Sequence, residues 1–216
     1  MLFANRSDAG RQLAALLTAE LPGLQESSNA IVLGIPRGGV AVAAEIAGAL
    51  KLPLDVFLAR KLGVPGHEEL AFGAVAANGT RYLDGQIVRH TGLTQAEIDE
   101  ITSAALRLLE ERAKLYRGDR EPLEAAGKSA ILVDDGIATG ASFHAAIHAL
   151  RELQPAQLIA AVPVAPPSTA TRLSAHVDRF MCLQTPSSFF AVGQFYAEFP
   201  QLSDSDVIRI LDTSQH

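Results

Sequence analysis

Ile131-Leu132-Val133-Asp134-Asp135-Gly136-Ile137-Ala138-Thr139-Gly140-Ala141-Ser142 is the stretch whose reading decides the fold. An apolar run ends in two adjacent carboxylates and turns through Gly, Ala, Thr and Ser. A second apolar-periodic segment follows at 143–153. The pattern predicts a buried strand, two acids at its carboxyl end, a tight turn, and a helix whose N-terminus points at whatever the turn holds. Backbone N–H groups of such a turn and the positive end of the helix dipole favour a phosphate. Thr139 and Ser142 add hydroxyl donors. The acids repel phosphate, but they hold sugar hydroxyls or a divalent metal beside it. A phosphate seat next to a polyol seat suits a phosphorylated ribose.

Outward from this stretch, β and α character alternate, which points to a parallel sheet flanked by helices. Ser7 or Asp8 is placed to cap a helix reaching Leu21, and Pro22-Gly23 ends it. A short buried strand is expected at 31–35, a turn at Pro36-Arg37-Gly38-Gly39, an Ala-rich helix at 40–50 and a strand at 54–59. Residues 60–69 are polar and carry Gly63, Pro65 and Gly66, so they read as a mobile loop. Residues 72–83 read as a hairpin around Asn78-Gly79, a pair that favours a type I′ turn. A long helix at 94–116 is opened by a Thr94/Glu97 capping box, with an apolar stripe of Ile98, Ile101, Ala105, Leu108, Leu109 and Leu115. The signature strand spans 128–133, and further strands are expected at 158–164 and 177–183. A short helix at 168–173 lies between those two, and a terminal helix at 203–211 is capped by Ser203 or Asp204.

The chain has 216 residues, 48% of them hydrophobic, which suits one medium-sized domain with a subdomain. A net charge of -6 speaks against a broad nucleic-acid-binding face. The single cysteine, Cys182, lies in an apolar stretch and reads as a buried, inert thiol. Residues 1–15 lack the apolar core of a signal peptide, and no apolar run approaches the ~20 residues of a membrane span. A soluble cytoplasmic protein is the expectation. Looser motifs fail: Gly34 to Gly39 has P-loop glycine spacing, but Val40 and Ala41 replace the required Lys and Ser/Thr. His67-Glu68 opens like a zinc-protease motif whose second His is missing. His144 and His148 stand one helical turn apart with no third ligand at metal-site spacing, and read as half-buried or surface histidines.

The 131–142 segment resembles the signature of the type I phosphoribosyltransferases. The opening Asn5-Arg6-Ser7-Asp8-Ala9-Gly10, the Pro36-Arg37-Gly38-Gly39 turn and the tail Val192-Gly193-Gln194-Phe195-Tyr196 are similar to those of a group of largely uncharacterised members. The resemblance implies an α/β fold, a doubly wound and mostly parallel Rossmann-like sheet with a small hood or lid. The core would take about 24–62 and 127–183, and the hood about 63–120 and 184–202, within one domain. It implies a Mg²⁺-dependent enzyme that moves ribose 5-phosphate from phosphoribosyl pyrophosphate to a nucleobase-like acceptor, releasing pyrophosphate. The alternative is a non-catalytic sensor of phosphoribosyl pyrophosphate or a nucleotide. Neither nucleic acid nor membrane is an expected partner, and a homodimer is left open.

Residue roles follow from the same resemblance. Asp134 and Asp135 would hold the ribose hydroxyls and Mg²⁺, directly or through water. Ala138, Thr139, Gly140, Ala141 and Ser142 would bind the 5′-phosphate. Pro36, Arg37, Gly38 and Gly39 would bind pyrophosphate, with Arg60 and Lys61 capping it from the end of the second strand. Asp134, Asp135, Arg37 and Lys61 would carry catalysis, which in such a transfer is mostly positioning and charge stabilisation. Many members have a cis peptide in the pyrophosphate turn, and here the bond joining Ile35 to Pro36 is the one to inspect. Ala138 stands where members acting on 6-oxopurines place an acid, which leaves adenine-, orotate- or uracil-like acceptors open. Glu68 or Glu69 is placed to meet the acceptor. Arg6 is open between the site and the surface. Phe189, Phe190, Phe195 and Tyr196 are open between stacking on a base and core packing. The helix at 94–116 is longer than simple members need, which leaves hood, lid and dimer contact open.

Overall fold

The computed structural model describes residues 2–24 and 29–214; residues 25–28, assigned above to the core, lie outside the described residues. Asn5 opens the first helix, α1 (Arg6–Glu20): its Oδ1 accepts from Asp8 N at 3.0 Å, and Asp8 Oδ2 accepts from Ala4 N at 3.0 Å. The helix therefore starts earlier than a Ser7 or Asp8 cap would allow, because Asp8 serves as the reciprocal partner of the cap. Strands β1 (Ala30–Gly34) and β2 (Leu54–Val56) flank helix α2 (Gly38–Leu50). Strand β6 (Ser129–Val133), helix α5 (Ala141–Arg151), strand β7 (Gln157–Val164), helix α6 (Pro167–Ser174), strand β8 (Arg179–Gln184) and helix α7 (Asp204–Thr213) complete the larger unit. Its five strands are all parallel, in the order β2-β1-β6-β7-β8.

Both faces of this sheet are covered, so its strands are continuous apolar runs rather than alternating ones. Val32, Ile131, Val133, Ile159 and Ala161 pack with α1, α2 and α7. Ile31, Leu33, Leu132, Leu158 and Ala160 pack with Phe143, Ile147 and Leu150 of α5 and Leu173 of α6. Cys182 is half-buried, and burial pushes its thiol up to about 11, so it stays protonated at neutral pH.

Between β2 and β6 the chain builds a second, antiparallel sheet of β3 (Ala59–Val64), β4 (His67–Ala76) and β5 (Arg81–Leu83). The expected loop at 60–69 is thus a hairpin. Leu62 and Val64 are buried while Arg60, the Pro65-Gly66 turn and the first residues of β4 are exposed, the period-2 pattern of a half-solvated strand. Gly66, with φ of 76°, makes the Pro65-Gly66 turn. The second hairpin closes by three residues rather than a type I′ pair. Gly79 N donates to Ala76 O and Ala76 N donates to Thr80 O, and among 77–79 only Gly79 takes a positive φ.

Two helices lie over this sheet: α3 (Gly85–Thr91) and α4 (Gln95–Arg117). Helix α3 was not anticipated; Asp84 caps it through the amides of Gln86 and Ile87, and Gly92 ends it. Thr94 and Glu97 form the expected capping box of α4. Its buried face is Ile98, Thr102, Ala105, Leu109 and Tyr116, spaced by four, three, four and seven residues, which leaves Leu108 (48%) and Leu115 (47%) exposed. The end of α4 is tied to the larger sheet by Arg117, whose Nε meets the buried carboxylate of Asp55 at 2.9 Å and whose Nη2 donates to Val56 O.

Tyr116 is buried and donates to Asp204 Oδ1 at 2.6 Å, which joins α4 to α7. Burial first, and then the Asp204 carboxylate, push the phenol up to about 12. Its folded value lies above the unfolded 10.0, so the associated stability is intact below pH 10 and is lost as pH rises from 10 to 12. Tyr116→Phe is expected to cost about 1–2 kcal/mol at pH 7 and to flatten the alkaline fall in melting temperature. An unchanged alkaline limb in a pH series of thermal melts would count against this linkage.

Candidate active site at the switch point

The chain leaves β1 towards β2 on one side, and leaves β6 towards β7 and β8 on the other. The strand order therefore reverses between β1 and β6, and in open α/β sheets the crevice at the carboxyl ends of such a pair holds the ligand. Gly34 and Val133 are the last paired residues, and Ile35 N donates to Val133 O at 2.8 Å just beyond them. The turns 36–39 and 134–140 thus leave the sheet side by side.

Their contact explains both glycines. A Cβ on Gly38 would lie 1.8 Å from Asp135 Oδ2, and one on Gly39 would lie 2.6 Å from Val133 O and 2.8 Å from Asp134 Cα. The first turn lies directly against the acid pair because it carries no side chains there. Its cis bond joins Pro36 to Arg37, one bond after the Ile35–Pro36 link singled out above. Arg37 is half-buried at the N-terminus of α2, beside this contact.

The acids differ in their surroundings. Asp135 Oδ2 accepts from Arg6 Nε at 2.7 Å. The Arg6 guanidinium also donates to Pro200 O at 2.7 Å and lies 3.8 Å from the centre of the Phe199 ring. Tyr196 Oη donates to Asp135 O at 2.5 Å. Asp134 Oδ1 accepts from Asp135 N at 2.8 Å, and among the described residues Asp134 has no ion-pair partner. Burial, and then the neighbouring Asp135 charge, push Asp134 well above the usual carboxylate range.

The following turn reaches Gly140, whose φ of 75° lets the chain enter α5. Thr169 Oγ1 donates to Ala138 O at 3.0 Å and Arg172 donates to Thr139 O, so the loop carbonyls are anchored on α6. Ala138, Thr139, Ala141 and Ser142 are exposed. A turn whose carbonyls are occupied on one side, ahead of an exposed helix start, has the chemistry to take an anion.

The basic pair on β3 lines one cavity of about 560 Å³ together with Ser142, and Lys61 alone also lines a second. Successive residues of a strand face opposite ways. Lys61 lines a cavity of about 380 Å³ with Thr139, Ala141, His144, His148 and Arg172, and pairs with Glu69 at 3.0 Å, while Arg60 is exposed and outside that cavity. Both sit within the antiparallel sheet, not at the end of β2. Glu68 is exposed and its carboxylate accepts from Gly66 N.

Tyr196 resolves to core packing, with its ring 5.3 Å from Phe3 and 4.7 Å from Phe199, whereas Phe190 is 89% exposed. Sequence reasoning left Arg6 open and missed Tyr196 as a neighbour of Asp135 and Phe199 as a neighbour of Arg6. The Phe3–Tyr196 bridge that joins the opening segment to the tail carries no spacing signal. It also missed His176, which joins His144 and His148. Burial first, and then the charges of His148 and His176, press His144 down to about 4; His148 is also lowered, again chiefly by burial.

Among the described residues no helix is long and apolar enough to cross a membrane. The family model for the phosphoribosyl transferase domain matches residues 6–200. A protein of Mycobacterium tuberculosis named "Putative phosphoribosyl transferase Rv0571c" is 46% identical over 211 residues. That match covers 98% of this chain but 46% of its relative, so the chain spans less than half of that longer protein. The crystal structure of TT1426 from Thermus thermophilus is 39% identical and matches with a TM-score of 0.89, covering 98% of both chains. With its switch-point acids, its glycine turn and its 138–142 loop at one edge of the sheet, this chain belongs to the phosphoribosyl transferase domain family.

Proposed function

We propose that the chain transfers ribose 5-phosphate from phosphoribosyl pyrophosphate to a nucleobase-like acceptor. The observation that carries this reading is the contact between Gly38-Gly39 and Asp134-Asp135 at the switch point. That contact supports a reading in which the 36–39 turn takes pyrophosphate, the acid pair takes the ribose hydroxyls and the 138–142 loop takes the 5′-phosphate. The C1–oxygen bond breaks with its electron pair leaving on pyrophosphate, and a bond from C1 to the acceptor forms. Loop 138–142 would hold the 5′-phosphate through backbone N–H groups and the hydroxyls of Thr139 and Ser142. The carboxylates would accept from the ribose hydroxyls and face the positive charge that develops on the ring. Arg37 would offer two parallel N–H groups to the departing pyrophosphate. Lys61 would bring a further positive charge from the antiparallel sheet above the loop.

Two adjacent carboxylates, one without a cationic partner and drawn towards protonation, are a hard-oxygen donor set that fits Mg²⁺. Asp134 and Asp135 would hold the ion directly or through water, and it would offset the negative charge of the pyrophosphate. The half-length match to the mycobacterial relative leaves the acceptor to experiment.

Pyrophosphate release from phosphoribosyl pyrophosphate with Mg²⁺, across a panel of purines and pyrimidines, tests the reading. Release that depends on one base is the expected result. Binding without release for any base would favour a sensor. Arg37→Ala is expected to weaken pyrophosphate binding by about 10–100-fold and ribose 5-phosphate binding far less. Equal losses in titration calorimetry would remove its assigned role.

A further inference from the structure

His144 and His148 stand one turn apart on α5, so both side chains leave the same face of the helix. The turn after α6 brings His176 to them. One ring nitrogen from each of the three histidines lies within 4.8 Å of the other two, and the Nε2 atoms of His144 and His148 are 3.0 Å apart. His144 is edge-on to both other rings, at 83° to His148 and 82° to His176, while His148 and His176 meet at 60°. With metal–nitrogen bonds of about 2.0–2.1 Å, two ligands of a tetrahedral ion lie roughly 3.3 Å apart.

The surroundings hold this geometry. Tyr82 of β5 stacks on His148 with centroids 4.0 Å apart. Arg151 donates from Nε to His176 O and from Nη1 to Asp178 Oδ2, which fixes the turn that carries His176. All three histidines are half-buried, and His144 and His148 open on the cavity of about 380 Å³ that also contains Tyr82, Asp84 and Thr139.

We propose that His144, His148 and His176 form a binding site for one divalent transition-metal ion of the zinc class, with a fourth coordination position open to this cavity. A donor set of three imidazoles selects Zn²⁺, Co²⁺ or Ni²⁺ over Mg²⁺, which requires oxygen. Three protein ligands and one open position is the pattern of zinc sites that accept a further ligand. The site does not include the carboxylate pair, although its cavity is shared with Lys61, Thr139 and Ala141.

The test uses the full chain without a histidine tag, stripped with chelator and titrated with Co²⁺ and then Zn²⁺. One Co²⁺ per chain is expected, with the intense visible absorption of four-coordinate cobalt, displaced by one equivalent of Zn²⁺. His176→Gln and, separately, His144→Gln should weaken Zn²⁺ binding by more than about 100-fold, beyond the cost of losing an outer-shell partner. Asp134→Asn combined with Asp135→Asn should leave it unchanged. The proposal falls if the parent chain binds no stoichiometric Zn²⁺ or Co²⁺. It also falls if either histidine variant, melting like the parent, retains parental affinity, or if the double Asn variant alone abolishes binding.

Discussion

Asp134→Asn is expected to raise the melting temperature while it removes most of the pyrophosphate release. Asp134 is held beside Asp135 without an ion-pair partner among the described residues, and burial and that neighbouring charge push it well above its usual range. A carboxyl whose folded value exceeds its unfolded one favours the fold at acid pH, and that stability is lost as pH rises through the higher folded value. At neutral pH the parent therefore carries a destabilising group. Asn keeps the oxygen that accepts from Asp135 N and removes the charge. The melting temperature should rise, and by more at pH 8 than at pH 5. The loss of release should be about 10²–10³-fold, the scale for removing one electrostatic contact to a transition state. Asp135→Asn should lose comparable activity but also cost roughly 1–3 kcal/mol, because the Arg6 guanidinium, itself only 9% exposed, loses its counter-charge. If both variants moved the melting temperature in the same direction, the electrostatic account of the pair would be wrong.

The second large effect concerns two glycines of one helix. In α2, Ala for Gly should favour the helix by about 0.8–1.0 kcal/mol wherever a methyl has room. Gly48 has nothing within 4 Å of an added Cβ, so Gly48→Ala should raise the melting temperature by about 2–4 °C. Gly39→Ala should reverse the sign, since its Cβ would meet the backbone at Val133 O and Asp134 Cα. Separating two packed backbones costs about 3 kcal/mol, a fall of roughly 6–12 °C. Gly38→Ala meets a carboxylate instead, at 1.8 Å, and displaces Asp135 from Arg6. Its main effect should fall on ligand affinity, read by calorimetry with phosphoribosyl pyrophosphate. Equal stabilities for the Gly39→Ala and Gly48→Ala variants would show that the turn has room to yield.

The parts of the fold that follow from neighbouring residues could be read directly. The strand-acid-turn-helix order at 131–151, the turn at 36–39 and the Thr94/Glu97 cap each depend on residues a few positions apart. The parts that depend on distant pairing could not. Gly63, Pro65 and Gly66 are local loop signals, yet pairing with 67–71 makes their segment a hairpin. Leu108 and Leu115 flank the buried stripe of α4 by one residue, about 100° around the helix, a difference that apolar identity does not encode. In the site, the acid pair and the glycine turn were legible, but Arg6 on Asp135 and His176 beside His144 were not. Those contacts are made by tertiary packing across 129 residues in the first case and between separate elements in the second.

The clasp on Asp135 also has a consequence for the order in which the molecule is assembled. Arg6 reaches Asp135 across 129 residues and Pro200 across 194, and the Tyr196 hydroxyl closes on the same aspartate. Contacts with such separations bear the full entropy of loop closure and form late. As the chain emerges from the ribosome, the sheet has its first four strands in hand by residue 164, whereas Tyr196 and Pro200, which close on Asp135 and Arg6, are made later. A nascent chain stalled short of residue 196 would therefore carry the sheet and the Arg6–Asp135 pair without the tail that closes over them.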